Sequence, residues 1–352
     1  MENKLVQVIR ICSLDILINY LDYLDQTQIC CRPHDLLNLL RCCTGLQKLL
    51  TVKITKLVTF KYSIIHRWTK KTNIHRLYID ADSVRLDYSI LPPNLVHLDF
   101  GIMEMDLKNC YLPDSLKSIH FGFSFNQYLD NSSLPKNLTK IIFGSMFNQF
   151  LDKNVLPDNL TELIFDSYSR YNNTFVRNVL PKSLVKLTLG YKFNQPIYED
   201  VLPCSLKYLK FGSYFNQNIV PRSLPENLEH LIFGERFNQQ ILANTLPFKL
   251  THLTFGESWN PCPQFPISDN IFPPGLIELN FGQSFNRAWD KFMYLENMKN
   301  LKKLSIGRKF TQKLSIDVLP ENLQVLTLSH HTHPVVPESV FLKIKIQYDK
   351  DI

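Results

Sequence analysis

Leu202-Pro203-Cys204-Ser205-Leu206-Lys207-Tyr208-Leu209-Lys210-Phe211-Gly212-Ser213-Tyr214-Phe215-Asn216-Gln217 is the stretch whose reading decides the fold. Leu206 and Leu209 lie three apart, after which Leu209, Lys210 and Phe211 alternate apolar, polar, apolar, as a short strand with one buried face requires. Gly212 ends the strand where a side chain would obstruct the turn or demand a strained backbone angle. Pro203 fixes the chain entering the strand and removes an N–H that has no neighbour to receive it. Phe215 is sized to fill the interior of a coil. Asn216, if enclosed there, has to satisfy backbone groups at the turn, and repeated copies would form a ladder.

The same text recurs along the chain. Units begin at Leu91, Leu112, Leu134, Leu156, Leu180, Leu202, Leu224, Leu246, Phe272, Asn297 and Leu319, mostly 22 residues apart. That period is in the range of leucine-rich solenoids. The longer steps put their extra residues in one part of the unit, so loops vary while the core does not. The fold expected is a repeat solenoid: a leucine-rich-repeat-like stacked parallel β-sheet of about 11 units of ~22 residues, with a small helical N-terminal cap. The Leu-Pro, Phe, Gly and Asn positions build this architecture and are not a site.

Phe125-Asn126-Gln127, Phe147-Asn148-Gln149, Phe193-Asn194-Gln195, Phe215-Asn216-Gln217, Phe237-Asn238-Gln239 and Phe285-Asn286 each follow a Leu-Pro-x-x-Leu-x-x-Leu-x-Phe-Gly type of segment, and the set resembles FNIP repeats over residues 91 to about 328. Departures are local. Asp166 replaces the glycine and Tyr171-Asn172 is shifted in the fourth unit. Trp259-Asn260 and Phe310-Thr311 are weakened copies, and Met103-Glu104-Met105 stands where the first unit's motif belongs. The resemblance implies a solenoid that recognises partners, and it implies no chemistry.

Eleven parallel strands make a sheet roughly 50 Å long. Its outward residues form two columns. One contains His97, Ser118, Lys140, Glu162, Lys186, Tyr208, His230, His252, Glu278, Lys303 and Val325; the other contains Asp99, His120, Ile142, Ile164, Thr188, Lys210, Ile232, Thr254, Asn280, Ser305 and Thr327. These columns vary from unit to unit where the core columns do not. Ile142, Ile164 and Ile232 sit among them with no core to enter, which marks the face as a candidate partner-binding surface.

Composition bounds the remaining readings. The 352 residues are 45% hydrophobic and 20% charged, which excludes a disordered chain. The start MENKLVQVIR has no apolar run of signal-peptide type, and no stretch approaches the ~18 uncharged apolar residues of a membrane span, so a soluble, intracellular and most simply cytoplasmic protein is expected. Of the eight cysteines, five crowd into the first 43 residues and the rest are isolated, which is no disulfide framework. A net charge of +7 over an extended surface gives weak attraction to polyanions, not a specific nucleic-acid site.

No cofactor, metal or catalytic residue is expected. Cys30-Cys31, His34 and Cys42-Cys43 lack the two-residue spacing that converges thiolates on zinc. Neither a phosphate loop nor a nucleophile elbow is present. The chain divides into residues 1–50, a basic connector with a degenerate first unit over 51–90, the solenoid over 91–328, and a C-terminal cap over 329–352 whose Val340-to-Ile346 alternation reads as a final strand.

In the first segment Leu14, Leu17, Leu21 and Leu24 make one apolar stripe of a helix with Ser13 placed to cap it, and a second helix starts at Asp35. The pair either caps the solenoid or serves as a degenerate F-box, which Ser13 to Asp25 and Asp35 to Leu39 resemble. That resemblance implies a Skp1-type adaptor as a second partner, with the solenoid presenting substrates to a ubiquitin ligase.

Overall fold

The computed structural model describes residues 51–55, 76–80, 91, 93–102, 107, 111–261, 271–287, 298–314, 319–329 and 344–349. Its strands are β1 (Thr51–Thr55), β2 (Arg76–Asp80), β3 (His97–Asp99), β4 (Ser118–His120), β5 (Lys140–Phe143), β6 (Glu162–Phe165), β7 (Lys186–Thr188), β8 (Tyr208–Lys210), β9 (His230–Ile232), β10 (His252–Thr254), β11 (Glu278–Asn280), β12 (Lys303–Ile306), β13 (Val325–Ser329) and β14 (Lys345–Asp349). They form one 14-stranded sheet in chain order, each pairing in parallel with the next. β3 to β13 are the strands of the repeat units. β1 extends the sheet into the stretch read as a basic connector, β2 falls in the degenerate first unit, and β14 lies in the C-terminal cap.

One side of this sheet is closed by aromatic rings. The strand-end phenylalanines stack from coil to coil, with centroids 5.3 Å apart for Phe121–Phe143 and 5.7 Å for Phe211–Phe233. A second column comes from the Phe-Asn-Gln motifs, at 5.8 Å for Phe125–Phe147 and 6.1 Å for Phe215–Phe237. Within a coil the two columns are in contact, as Phe211 and Phe215 are at 3.8 Å. Tyr171 and Trp259 each occupy a place in the second column. The shifted fourth unit therefore keeps its register.

The glycine column has a steric cause. A Cβ on Gly212 would lie 1.7 Å from the carbonyl oxygen of Gly190, and one on Gly234 would lie 1.7 Å from that of Gly212. Successive turns rest backbone on backbone, so close approach, not a left-handed backbone angle, requires glycine here. Asp166 holds the glycine's place in the fourth unit, and its carboxylate accepts the buried Ser145 hydroxyl at 2.8 Å.

The asparagine ladder is present, but at the surface. Asn216 is half-buried and Asn238 exposed, so the expectation of an enclosed Asn216 is corrected. Along the ladder an Asn Oδ1 accepts the backbone N–H of the next coil's asparagine, as in Asn238 N–H to Asn216 Oδ1 at 2.9 Å, and, where the next coil has a glutamine, its amide as well, as in Gln239 Nε2 at 3.0 Å. In the fourth unit Asn172 and Asn173 take the two roles, donating to Asn148. The turn needs a polar cap rather than a buried one, because its backbone groups are themselves at the rim.

A left-handed residue precedes most central Leu-Pro pairs: Asn154, Asn178, Asp200, Arg222 and Asn244 have φ between 59° and 67°. Asn and Asp tolerate that region and Arg does not, which leaves Arg222 strained.

Candidate functional site

The outer face of the sheet carries both predicted columns in register. His97, Ser118, Lys140, Glu162, Lys186, Tyr208, His230, His252, Glu278, Lys303 and Val325 pair strand to strand in unbroken succession. The second column, including His120, Ile142, Ile164, Lys210 and Ile232, follows two residues later in the same pairings. Ile142, Ile164 and Ile232 are half-buried, although no element covers them among the described residues. The sequence pattern missed a third row just before each strand, where Val185 is exposed and Ile277 half-buried; β-branched residues alternate there with Lys117, Lys207, Glu229, Lys302 and Gln324, which hid the row.

Polar pairs bracket the face. His120 Nδ1 is hydrogen-bonded with Asp99 Oδ2 at 3.0 Å, and ion pairs join Lys140 to Glu162 at 3.0 Å and Lys303 to Glu278 at 3.7 Å. Such half-exposed pairs contribute about 0–1 kcal/mol each and set the charge pattern more than the stability. Burial pushes the Asp99 carboxyl up, but the hydrogen bonds from His120 and the Gly101 N–H outweigh it and hold the group below its ordinary value.

Between those pairs runs an aromatic strip. Lys186 Nζ lies 5.1 Å from the Tyr208 ring centroid, Tyr208 lies 5.9 Å from His230, and His230 stacks on His252 at 4.2 Å. Burial, then the neighbouring His252, pushes His230 below the ordinary histidine value, against the pull of Glu229 and Glu278. A neutral His230 lets the strip act as an amphipathic contact surface, apolar on its ring faces and hydrogen-bonding at its edges. Lys210 is exposed beside it, with no acidic partner among the described residues.

Two positions that sequence reasoning passed over are structural. The residue before the second leucine, read as variable, is Asn or Ser in most units and reaches back to the preceding coil: Asn137 Nδ2 donates to Asp114 O at 2.9 Å, and Ser183 Oγ to Leu160 O at 2.7 Å. On the side away from the sheet, Val176, Tyr198, Val220 and Leu242 are exposed at the same place in consecutive units. The adaptor-binding helix expected from Leu14, Leu17, Leu21 and Leu24, the cysteine group at 30–43 and His330 to His333 all lie outside the described residues. Among the described residues no helix is long and apolar enough to cross a membrane, and no three His, Cys, Asp or Glu side chains are grouped to hold a metal ion.

Comparison with known proteins agrees with this geometry. Among solved structures the chain is similar to CroV588, described as a novel circular LRR protein, with 35% identity and a TM-score of 0.67 over 80% of this chain and 41% of that one. The chain thus spans under half the length of that relative. An internalin (inlF) from Listeria monocytogenes matches at 17% identity and TM-score 0.54, over 83% of this chain and 90% of that one. TLR13, solved in complex with ssRNA13, matches at 16% and 0.52, over 90% of this chain and 48% of that one. These last two likenesses show the leucine-rich-repeat fold alone. No curated protein matches the sequence. The FNIP Repeat model matches residues 106–146, 125–168, 147–192, 171–214, 215–258 and 299–331, more than half of the chain. With its Phe-Gly turns, stacked rings and Asn-Gln ladder on the same residues, the chain belongs to the FNIP-repeat family.

Proposed function

We propose that this protein is a protein-binding solenoid whose contact surface is the outer face of the sheet, and that it catalyses no reaction by itself. A stacked leucine-rich-repeat-like sheet is a ready-made interaction surface, typical of protein–protein interaction modules. The observation that carries the reading is the face itself: Ile142, Ile164 and Ile232 stand half-buried in the column beside that of Tyr208, His230 and His252, with the Lys140–Glu162 and Lys303–Glu278 pairs on the strands to either side of the rings. An apolar and aromatic centre with a charged rim is the anatomy of protein interfaces. The experiment is affinity capture with quantitative mass spectrometry, comparing the full chain with Ile164→Arg, Ile232→Arg and Tyr198→Arg. Loss of the partner on the first two and retention on the third supports the reading. Loss on Tyr198→Arg alone moves the interface to the opposite side.

A link to a ubiquitin ligase rests on the F-box resemblance of residues 13–39. Co-purification of a Skp1-like adaptor, abolished by Leu17→Asp or Leu21→Asp, would support it, and its absence under native conditions would remove it while leaving the solenoid's own partner in place.

A further inference from the structure

The turns that follow β7, β8 and β9 carry a cluster that the repeat architecture does not use. Two tyrosines and two cations from successive coils meet there. Tyr191 and Tyr214 rings lie 4.7 Å apart, Lys192 Nζ is 4.2 Å from the Tyr214 ring centroid, and the Arg236 guanidinium carbon is 3.7 Å from the same centroid. Lys192 and Arg236 are exposed. Neither cation has an ion pair among the described residues, in contrast to Lys140, Lys207 and Lys303, each of which meets a glutamate. Glu235, the nearest acid in sequence, accepts the Ser213 hydroxyl at 2.9 Å and forms no ion pair with either cation.

The consequence is a guanidinium held flat on an aromatic platform with its N–H edge unused. Stacking leaves the N–H donors free at the edge of the guanidinium's own plane, in the fork geometry that matches a carboxylate, and it limits the rotamer freedom lost on binding. Lys192 adds a second cation on the same ring. The Tyr214 phenol is held below its ordinary value first by its hydrogen bond with Tyr191 and then by the charges of Arg236 and Lys192.

Resting on the protein-binding reading, we infer that Tyr191, Lys192, Tyr214 and Arg236 form a docking point for an acidic segment of the partner protein, with a Glu or Asp carboxylate seated on Arg236. Charge complementarity and size select this occupant. Three coils span only about 10 Å between the first and third strand, room for one or two carboxylates. A nucleic-acid backbone draws its affinity from several phosphate contacts in succession. Arg170 on the turn after β6 adds one more cation to the row, but Glu235 stands beside Arg236 and the turn after β10 carries Glu257, so the run of cations ends within the site.

The test is a fluorescence-anisotropy titration of labelled hexaglutamate with the full chain at low ionic strength, with a labelled oligouridine of equal charge and hexalysine alongside. Variants are Arg236→Gln, Arg236→Lys, Tyr214→Leu and, as a charge-matched control on a remote turn, Lys182→Gln, with circular dichroism verifying the fold of each. Hexaglutamate should bind and hexalysine should not. Binding should weaken about threefold or more in Arg236→Gln and Tyr214→Leu, less in Arg236→Lys, and not in Lys182→Gln. Equal weakening in Arg236→Gln and Lys182→Gln, or no hexaglutamate binding, overturns the inference. Tighter oligouridine binding through the same residues also overturns it, in favour of nucleic acid. If Arg236→Gln behaves as wild type while Ile164→Arg still loses the captured partner, the docking point falls and the protein-binding reading stands.

Discussion

Replacing Asn216 by alanine removes one rung of the ladder and nothing from the core. The side chain's Oδ1 accepts two hydrogen bonds from the next coil, the Asn238 N–H at 2.9 Å and the Gln239 amide at 3.0 Å, whereas its amide nitrogen is not a donor in either. A hydrogen bond contributes about 1 kcal/mol net, and water reaches this rim and partly replaces what is lost, so the expected destabilisation is ~1–2 kcal/mol. Asn216→Asp supplies the contrast. A carboxylate keeps the acceptor and serves both donors, so it should cost less than half as much. Urea unfolding gives the magnitude, and hydrogen exchange gives the location, because a solenoid's stability is a sum of units and neighbour interfaces. Loss of protection should centre on the Asn238 amide. The reasoning is refuted if Asn216→Ala leaves both stability and Asn238 exchange unchanged, or if Asn216→Asp is as damaging as alanine, which would assign the contribution to the amide hydrogens.

Other perturbations probe the coil-to-coil packing. Gly234→Ala places a Cβ 1.7 Å from the Gly212 carbonyl oxygen, where the obstacle is backbone, so its cost should stand at or above the top of the usual overpacking range, about 3 kcal/mol or more in chemical denaturation. Tyr171→Phe should stabilise by about 1 kcal/mol, since the hydroxyl is buried without a hydrogen-bond partner among the described residues; a drop in melting temperature would reveal a partner for it. Arg222→Asn should raise the melting temperature by relieving a φ of 67°, worth about 0.5–1 kcal/mol, because the exposed Glu199 contact it gives up at 3.8 Å contributes little.

The period, the strand phase and both outward columns were legible because a solenoid turns sequence spacing directly into spatial spacing. Reading Tyr208, Leu209 and Lys210 as out, in, out is enough to place Lys186 and His230 beside Tyr208. The asparagine's depth was less legible. A polar residue next to a buried phenylalanine looks alike whether it is enclosed or caps a rim, and only the path of the turn decides. The role of glutamine and of the Asn or Ser before the second leucine escaped for a related reason: both act on a neighbouring coil, and partners about 22 residues away leave no local signature. The Tyr214 cluster was invisible for another cause. Lys192, Tyr214 and Arg236 hold the same place in three consecutive units, but the residue type there changes from unit to unit, so the period gives the position and not the pairing of cation with ring.

The contact of Gly212 with Gly190, and of Gly234 with Gly212, joins a position to its own copy. The phenylalanine columns and the asparagine ladder do the same, so wherever these positions are kept the interface between coils is one interface repeated. A whole unit gained or lost by duplication or deletion therefore creates no new kind of junction, and the molecule's length is quantised in steps of about 4.8 Å. Fractional changes have no such freedom, except in the loops. Lineages of this architecture can consequently lengthen or shorten their reach along a partner while holding the pitch of the contact constant, as a ruler is cut to size without altering its graduations.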